Sequence, residues 1–247
     1  MSDSELIVII PAYNEQNHIA QVIQNIGKVL PSADIVVIND GSEDRTAEIA
    51  LQSGTKVINL PYNMGYGTAL QTGYIFALEN GYQYLAQIDA DGQHDPVYIL
   101  DMLSVLQKEK VDLVIGSRFL VDTGYKAPFA KRMGMHLFGV IASTIMKQKV
   151  SDPTSGYQTM NRKVFRYCAR DVYPSDFADA DVLIMLFRAG FKIREVPVQM
   201  NPSANKESRY MNMYSIFTPI YYVFKISLAI FVTLLRKPGE VEEAIDL

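Results

Sequence analysis

Five short apolar runs punctuate the first 120 residues: Leu6 to Ile10, Asp34 to Ile38, Lys56 to Leu60, Tyr82 to Ile88 and Asp112 to Ile115. Each has the length of a strand, and most are rich in Val and Ile, as strands buried on both faces of a sheet are. Stretches of helical spacing lie between them, near residues 15–30, 43–53, 67–80 and 95–109. Strand and helix alternating in this way predict an α/β fold with a Rossmann-like, mostly parallel sheet and helices on both faces. Ser42, ahead of Glu43 and Asp44, is placed as a helix N-cap, and Gly54 and Gly81 stand where helices should stop. Ligands of such sheets bind beyond the carboxyl ends of the strands. The polar clusters fall there: Tyr13 to Glu15, Asn39 to Ser42, Asn63 to Gly67 and Asp89 to Asp95.

Beyond residue 120 the pattern changes. A loop with Gly124 and Pro128 leads to a predicted helix over 129–147, a turn-rich stretch over 151–156 and a helical piece over 162–170. A further helix near 178–189 precedes a strand over 192–196, and residues 197–212 read as a loop. The segment 214–235 is mostly apolar.

The chain has 247 residues, 49% apolar and 20% charged, which excludes a disordered or disulfide-scaffold protein. Its one cysteine, Cys168, permits no internal disulfide, so a reducing, cytoplasmic setting is expected. The apolar run near the N-terminus is only five residues long and follows acidic residues, unlike a signal peptide. A formal net charge of −4 conceals an asymmetry. Residues 1–120 carry 6 Lys and Arg against 15 Asp and Glu, and residues 121–247 carry 17 against 12. The basic excess concentrates between Lys126 and Arg170, where nine basic residues meet a single acid, Asp152. Such a patch suits an anionic partner. No nucleic-acid-binding pattern accompanies it, so no nucleic acid is expected.

The sharpest chemical signal is Asp89-Ala90-Asp91-Gly92-Gln93-His94-Asp95, directly after a buried-looking strand. Two carboxylates at i and i+2, with a glycine to bend the chain, can hold Mg²⁺ or Mn²⁺ and leave coordination sites for phosphate oxygens. An acidic loop capping the next helix is the alternative.

With this motif stand Pro11-Ala12-Tyr13-Asn14-Glu15, Asn39-Asp40-Gly41-Ser42-x-Asp44, Asn63-x-Gly65-x-Gly67, Gly116-Ser117-Arg118 and Asp152-Pro153-Thr154-Ser155-Gly156-Tyr157. In order and spacing the set resembles family 2 glycosyltransferases over about residues 6–200, most closely the dolichyl-phosphate mannosyltransferase branch and its bacterial polyprenyl-phosphate relatives. The resemblance implies a GT-A fold, a nucleotide-sugar donor (GDP- or UDP-linked) and inversion at the anomeric carbon. Pro11, Tyr13, Glu15 and Asp40 would hold base and ribose. Asp89 and Asp91, with Gln93, would hold the metal on the diphosphate and carry the chemistry with it.

The same resemblance places the acceptor's lipid phosphate on Arg118 and Arg132, with Lys131 beside them. Arginine suits this because its planar fork pairs bidentately with phosphate. His136 stands where the branch commonly has serine. Asp176 to Asp181 occupy the region of a catalytic base in relatives that transfer to a hydroxyl. Asp181 is the best candidate there, and a helix-capping role competes with it. Residues 205–209 resemble a lid that closes on the diphosphate, with Arg209 as a phosphate clamp.

Lys225 interrupts the apolar tail near its middle, at a cost of about 3 kcal/mol for insertion. Lys225 and Arg236, eleven positions apart, fall within about 20° of one another on a helix. This favours an amphipathic helix lying on a membrane with its basic face toward headgroups. Packing against the body of the protein or a second copy is the alternative. The expected organisation is a GT-A domain over 1–212, divided into a nucleotide-sugar-binding part (1–120) and an acceptor part with lid (121–212), followed by a helical membrane-associating or interface segment over 213–247. The expected activity is transfer of a sugar to a polyprenyl phosphate by an enzyme peripheral to the cytoplasmic face of a membrane. Transfer to a polysaccharide hydroxyl is the first rival, and a non-catalytic nucleotide-sugar-binding protein the second.

Overall fold

A computed structural model describes residues 4–120, 129–170, 173–174, 180–201 and 217–235, the side chains of 129–136 and 217–223 excepted. The amino-terminal part folds as its periodicity predicts. Strands β1 (Leu6–Ala12), β2 (Asp34–Asn39), β3 (Lys56–Asn59), β4 (Tyr84–Gln87) and β5 (Leu113–Ser117) alternate with helices α1 (Ile19–Val29), α2 (Thr46–Gln52), α3 (Tyr66–Glu79) and α4 (Val97–Lys108). Then follow α5 (Phe129–Met146), β6 (Gln158–Asn161), α6 (Arg162–Cys168), α7 (Ala180–Arg188), β7 (Ile193–Pro197) and α8 (Phe217–Leu235).

The seven strands form one sheet in the order β3-β2-β1-β4-β6-β5-β7. All neighbours are parallel except β6, which runs antiparallel to both β4 and β5. No strand was expected at 158–161. Its sequence, Gln-Thr-Met-Asn, has neither alternation nor an apolar run. It is a strand because the gap between β4 and β5 supplies partners on both sides, a tertiary cause with no local signature.

β1 shows why the sheet must be covered twice. Residues 7–10 are wholly buried. Ile7 and Ile9 face a core built with α3, α5, α6, α7 and α8, whereas Val8 and Ile10 face one built with α1 and α4. The buried Cys168 lies in the first of these cores.

Two helix starts differ from expectation. Glu15 to His18 form a turn in which the Glu15 carbonyl accepts from His18 and Ile19 N–H, so α1 begins at Ile19. Asp44, not Ser42, closes the start of α2 by accepting from the Thr46 N–H (2.9 Å) and hydroxyl. Ser42 is drawn away to accept from the Asn14 N–H (2.9 Å). Gly54 and Gly81 do follow the ends of α2 and α3.

Among the described residues no helix is long and apolar enough to cross a membrane. α8 packs Ile226 and Ile230 inward, and its Thr233 carbonyl accepts from Arg188 on α7. The outward face of the described part of α8 is largely apolar. Lys225 is half-buried, and Phe224, Leu228, Phe231 and Leu235 are exposed at helical spacing. Arg236 lies outside the described residues.

Candidate active site

β1 pairs with β2 on one side and with β4 on the other, so successive connections leave in opposite directions at the β1–β4 pair. That reversal opens a crevice at the carboxyl ends of the two strands. The loops after β1 and β4 carry Tyr13 to Glu15 and Asp89 to Asp95, so the topology brings together two of the clusters read from sequence.

The donor-side loops are fastened to one another by main-chain contacts. Glu43 N–H donates to Asn14 Oδ1 (2.9 Å), Gln16 N–H to Asp44 Oδ2 (3.2 Å) and Glu15 N–H to Thr46 Oγ1 (2.7 Å). Glu15 is buried, and one of its carboxylate oxygens lies 2.9 Å from His18 Nδ1. Asp40 is buried too and accepts from the N–H groups of Met64 (2.7 Å) and Gly65 (3.1 Å), which locks the loop after β3 onto the end of β2. Gly41 permits that approach: with φ +65°, it would place a Cβ 2.3 Å from the Tyr62 carbonyl carbon. Pro11 lies at the end of β1 and Tyr13 follows it, half-buried.

In the loop after β4, Asp91 accepts from the Gln93 N–H (3.0 Å) and from Gln93 Nε2 (2.6 Å). Gln93 therefore orients Asp91 and keeps its own amide oxygen as an acceptor. Asp89 accepts from the Tyr66 hydroxyl at Oδ1 (2.9 Å), and His94 Nε2 stands 3.6 Å from Oδ2. His94 Nδ1 accepts from the Asp89 N–H (3.1 Å), which puts the proton of the neutral ring on Nε2, toward the carboxylate. The imidazole is held flat against Tyr157, with ring centroids 4.7 Å apart. Burial, with the Asp89 carboxylate beside it, pushes the Tyr66 hydroxyl well above its ordinary pKa, so it remains a donor.

Among the described residues no three His, Cys, Asp or Glu are grouped to hold a metal. Asp89, Asp91 and the Gln93 amide, close together on the loop after β4, would offer a hard, all-oxygen donor set that leaves most of the coordination to substrate and water. That composition fits Mg²⁺ or Mn²⁺, which prefer oxygen ligands and bind diphosphates, and would not suit a soft metal.

Arg118 has a different environment from the one expected. Its Nε and one Nη donate to the two oxygens of Asp152 (both 2.6 Å), and its main-chain N–H donates to the same carboxylate (3.0 Å). Asp152 is fully buried and the Arg118 side chain is 11% exposed. Glu195 on β7 in turn accepts from Ser151 N–H (2.9 Å) and Asp152 N–H (2.8 Å), and burial pushes its carboxyl above the usual value despite these donors. Ser155 Oγ donates to the Gly116 carbonyl (2.6 Å). The Gly116-Ser117-Arg118 and Asp152-to-Tyr157 motifs thus form one stitched unit.

Lys131 and Arg132 lie on α5 with their side chains outside the described residues, and Arg209 lies outside them altogether. Asp181 is buried in the first turn of α7. The described chain before Arg209 is tied to the loop after β4, because Asn201 N–H donates to the Gln93 carbonyl (2.8 Å) and Met200 bridges His94. Tyr66, Gln87, His94 and Gly156 were not foreseen as site residues. Tyr66 and Gly156 lie inside motifs that were read as loops, and nothing local announces that they touch Asp89.

Comparison with known proteins agrees with this geometry. A model of the glycosyl transferase family 2 matches residues 7–168, about two thirds of the chain. A dolichyl-phosphate beta-glucosyltransferase of Trichomonas vaginalis is 28% identical, over 92% of this chain and 73% of its own. A polyprenol monophosphomannose synthase of Mycolicibacterium smegmatis is 27% identical, over 78% and 76%. Among solved structures, glucosyl-3-phosphoglycerate synthase of Mycobacterium tuberculosis, described in complex with Mn²⁺, UDP and phosphoglyceric acid, superposes with a TM-score of 0.67 at 19% identity, covering 96% of this chain and 80% of its own. The shared architecture is the GT-A fold. With the family matched over most of its sheet and the acidic loop standing at the crevice of that fold, the chain belongs to glycosyl transferase family 2 and is a glycosyltransferase.

Proposed function

We propose that the protein transfers one sugar, with inversion and with a divalent cation, from a GDP- or UDP-sugar to a polyprenyl phosphate at the cytoplasmic face of a membrane. The observation that carries this reading is the all-oxygen set of Asp89, Asp91 and Gln93 at the crevice between β1 and β4. Bound there, Mg²⁺ or Mn²⁺ would neutralise charge that gathers on the departing nucleoside diphosphate. The chain's own residues do the remainder. Pro11, Tyr13, Glu15 and Asp40 line the donor side, and Gln93 holds Asp91 in place. A phosphate oxygen of the acceptor attacks the anomeric carbon from the side opposite the leaving diphosphate, and the sugar–phosphate bond forms as the bond to the diphosphate breaks. The acceptor is already anionic, so it needs orientation more than deprotonation. Arg132 and Lys131 on α5, and Arg209, would supply the cations. Arg118 would join them, with much of its hydrogen bonding committed to Asp152.

The test is a purified assay with polyprenyl phosphate, Mn²⁺ and a panel of GDP- and UDP-sugars, read as lipid-linked sugar. Formation of that product is expected. Transfer to a saccharide hydroxyl but never to the lipid phosphate would overturn the acceptor assignment and return Asp181 to the role of base.

The membrane part of the reading draws on the exposed apolar stripe of α8. Leu228→Asp with Phe231→Asp is expected to lower binding to anionic phospholipid vesicles by at least about tenfold, since each buried side chain of this size is worth roughly 2 kcal/mol. Sedimentation with vesicles measures this. Unchanged vesicle binding, accompanied by dissociation of an oligomer, would assign the stripe to a second copy instead.

A further inference from the structure

Asp89 is held by a chain of hydrogen bonds that begins inside the core. Tyr173 and Tyr74 bring their hydroxyls to 3.3 Å, with the rings edge-to-face. Tyr74 donates to Gln87 Oε1 (2.8 Å), Gln87 Nε2 donates to the Tyr66 oxygen (3.0 Å), and Tyr66 donates to Asp89 Oδ1 (2.9 Å). The direction is forced. An ionised carboxylate only accepts, so the single Tyr66 proton goes to Asp89, which requires the Gln87 amide to present its NH₂ group to Tyr66 and its oxygen to Tyr74. A flipped Gln87 amide would set its oxygen against the Tyr66 oxygen, whose one proton is committed to Asp89, so the buried amide holds this orientation.

The opposite wall of this contact is bare backbone. A Cβ on Gly156 would lie 2.6 Å from the Tyr66 hydroxyl oxygen and 3.4 Å from Asp89 Oδ2. Any side chain there would displace the phenol from the carboxylate.

On the reading that Asp89 is a metal ligand, we propose that Tyr66 is a positioning residue for the cation: its hydroxyl, aimed by Gln87 and given room by Gly156, fixes the orientation of the Asp89 carboxylate through Oδ1. Tyr66 is the first residue of α3, so the loop after β3 reaches the loop after β4 through this contact.

The test uses the full chain and Mn²⁺ with UDP, with bound Mn²⁺ read by electron paramagnetic resonance. Tyr66→Phe, which removes one oxygen atom, is expected to weaken Mn²⁺ binding about tenfold, in keeping with the effect of removing a group that orients a ligand. Saturating Mn²⁺ should restore occupancy, and the circular dichroism spectrum should not change. Gly156→Ala keeps the hydroxyl but crowds it, and is expected to shift Mn²⁺ affinity in the same direction. Asp89→Asn separates the two levels of the argument. If Asp89→Asn loses Mn²⁺ while Tyr66→Phe and Gly156→Ala bind it as tightly as the parent, the positioning role is overturned and the metal site stands. If Asp89→Asn binds Mn²⁺ normally, the metal assignment falls and the proposal falls with it.

Discussion

Asp91→Ala is expected to lower sugar transfer by about a thousandfold, roughly 4 kcal/mol of transition-state stabilisation, with the fold intact. Asp91 sits on a half-buried loop, and the hydrogen bonds it makes within that loop run to Gln93, its neighbour but one. On the proposed reading its removal would take away a cation ligand and also release Gln93, to which it is hydrogen-bonded. Asp89→Ala should match it, although with some loss of order at Tyr66. The measurement is initial rate against Mn²⁺ concentration, together with thermal shift by UDP and Mn²⁺, which should vanish because a ligand stabilises only the fold it binds. Transfer at the parent's rate, with the parent's metal dependence, in either variant would remove the acidic loop from the chemistry.

The second large effect is on stability. Arg118→Met is expected to destabilise the fold by about 3 to 5 kcal/mol, because it leaves the fully buried Asp152 carboxylate without its cation. In a chain of this size that corresponds to a fall in melting temperature on the order of 10 °C. Asp152→Asn should be costly for the complementary reason. Paired replacement, Arg118→Met with Asp152→Leu, should recover much of the loss, since two apolar groups leave no buried charge behind. A double-mutant cycle by thermal melting measures the coupling. If Arg118→Met melts like the parent and only acceptor KM rises, the arginine serves substrate more than scaffold.

The reading of Arg118 shows where sequence reasoning stops. Its motif, its basic surroundings and its place after β5 were all legible, and each points to a phosphate. What decides its environment is Asp152, the one acid in that basic stretch, 34 positions away and brought back by the turn before β6. The parallel strands were legible because burial on both faces writes a continuous apolar run. The acidic loop after β4 was legible as a loop at a strand end because two carboxylates and a glycine there need no partner from elsewhere in the chain. β6 was not, since four mixed residues become a strand only when two neighbours are already waiting. Nor was the contact between Tyr66 and Asp89, which joins two loops that the sequence separates by a helix and a strand. On α8 the angular arithmetic relates positions to one another, but which face turns inward depends on α7, and the packing buries Ile226 and Ile230 while leaving a second apolar stripe outside.

The antiparallel strand β6 also limits how this protein can be taken apart. β5 pairs with β6 and β7 and with no strand of the first 112 residues, whereas β4 would be left with one open edge. A chain cut after residue 120 would therefore hold a four-stranded sheet with an unpaired edge and an orphaned fifth strand, a template for aggregation. Residues 1–120 are thus not expected to fold as a separable module. Exchange of segments with a relative would have to leave this sheet whole and change the loops and helices around it.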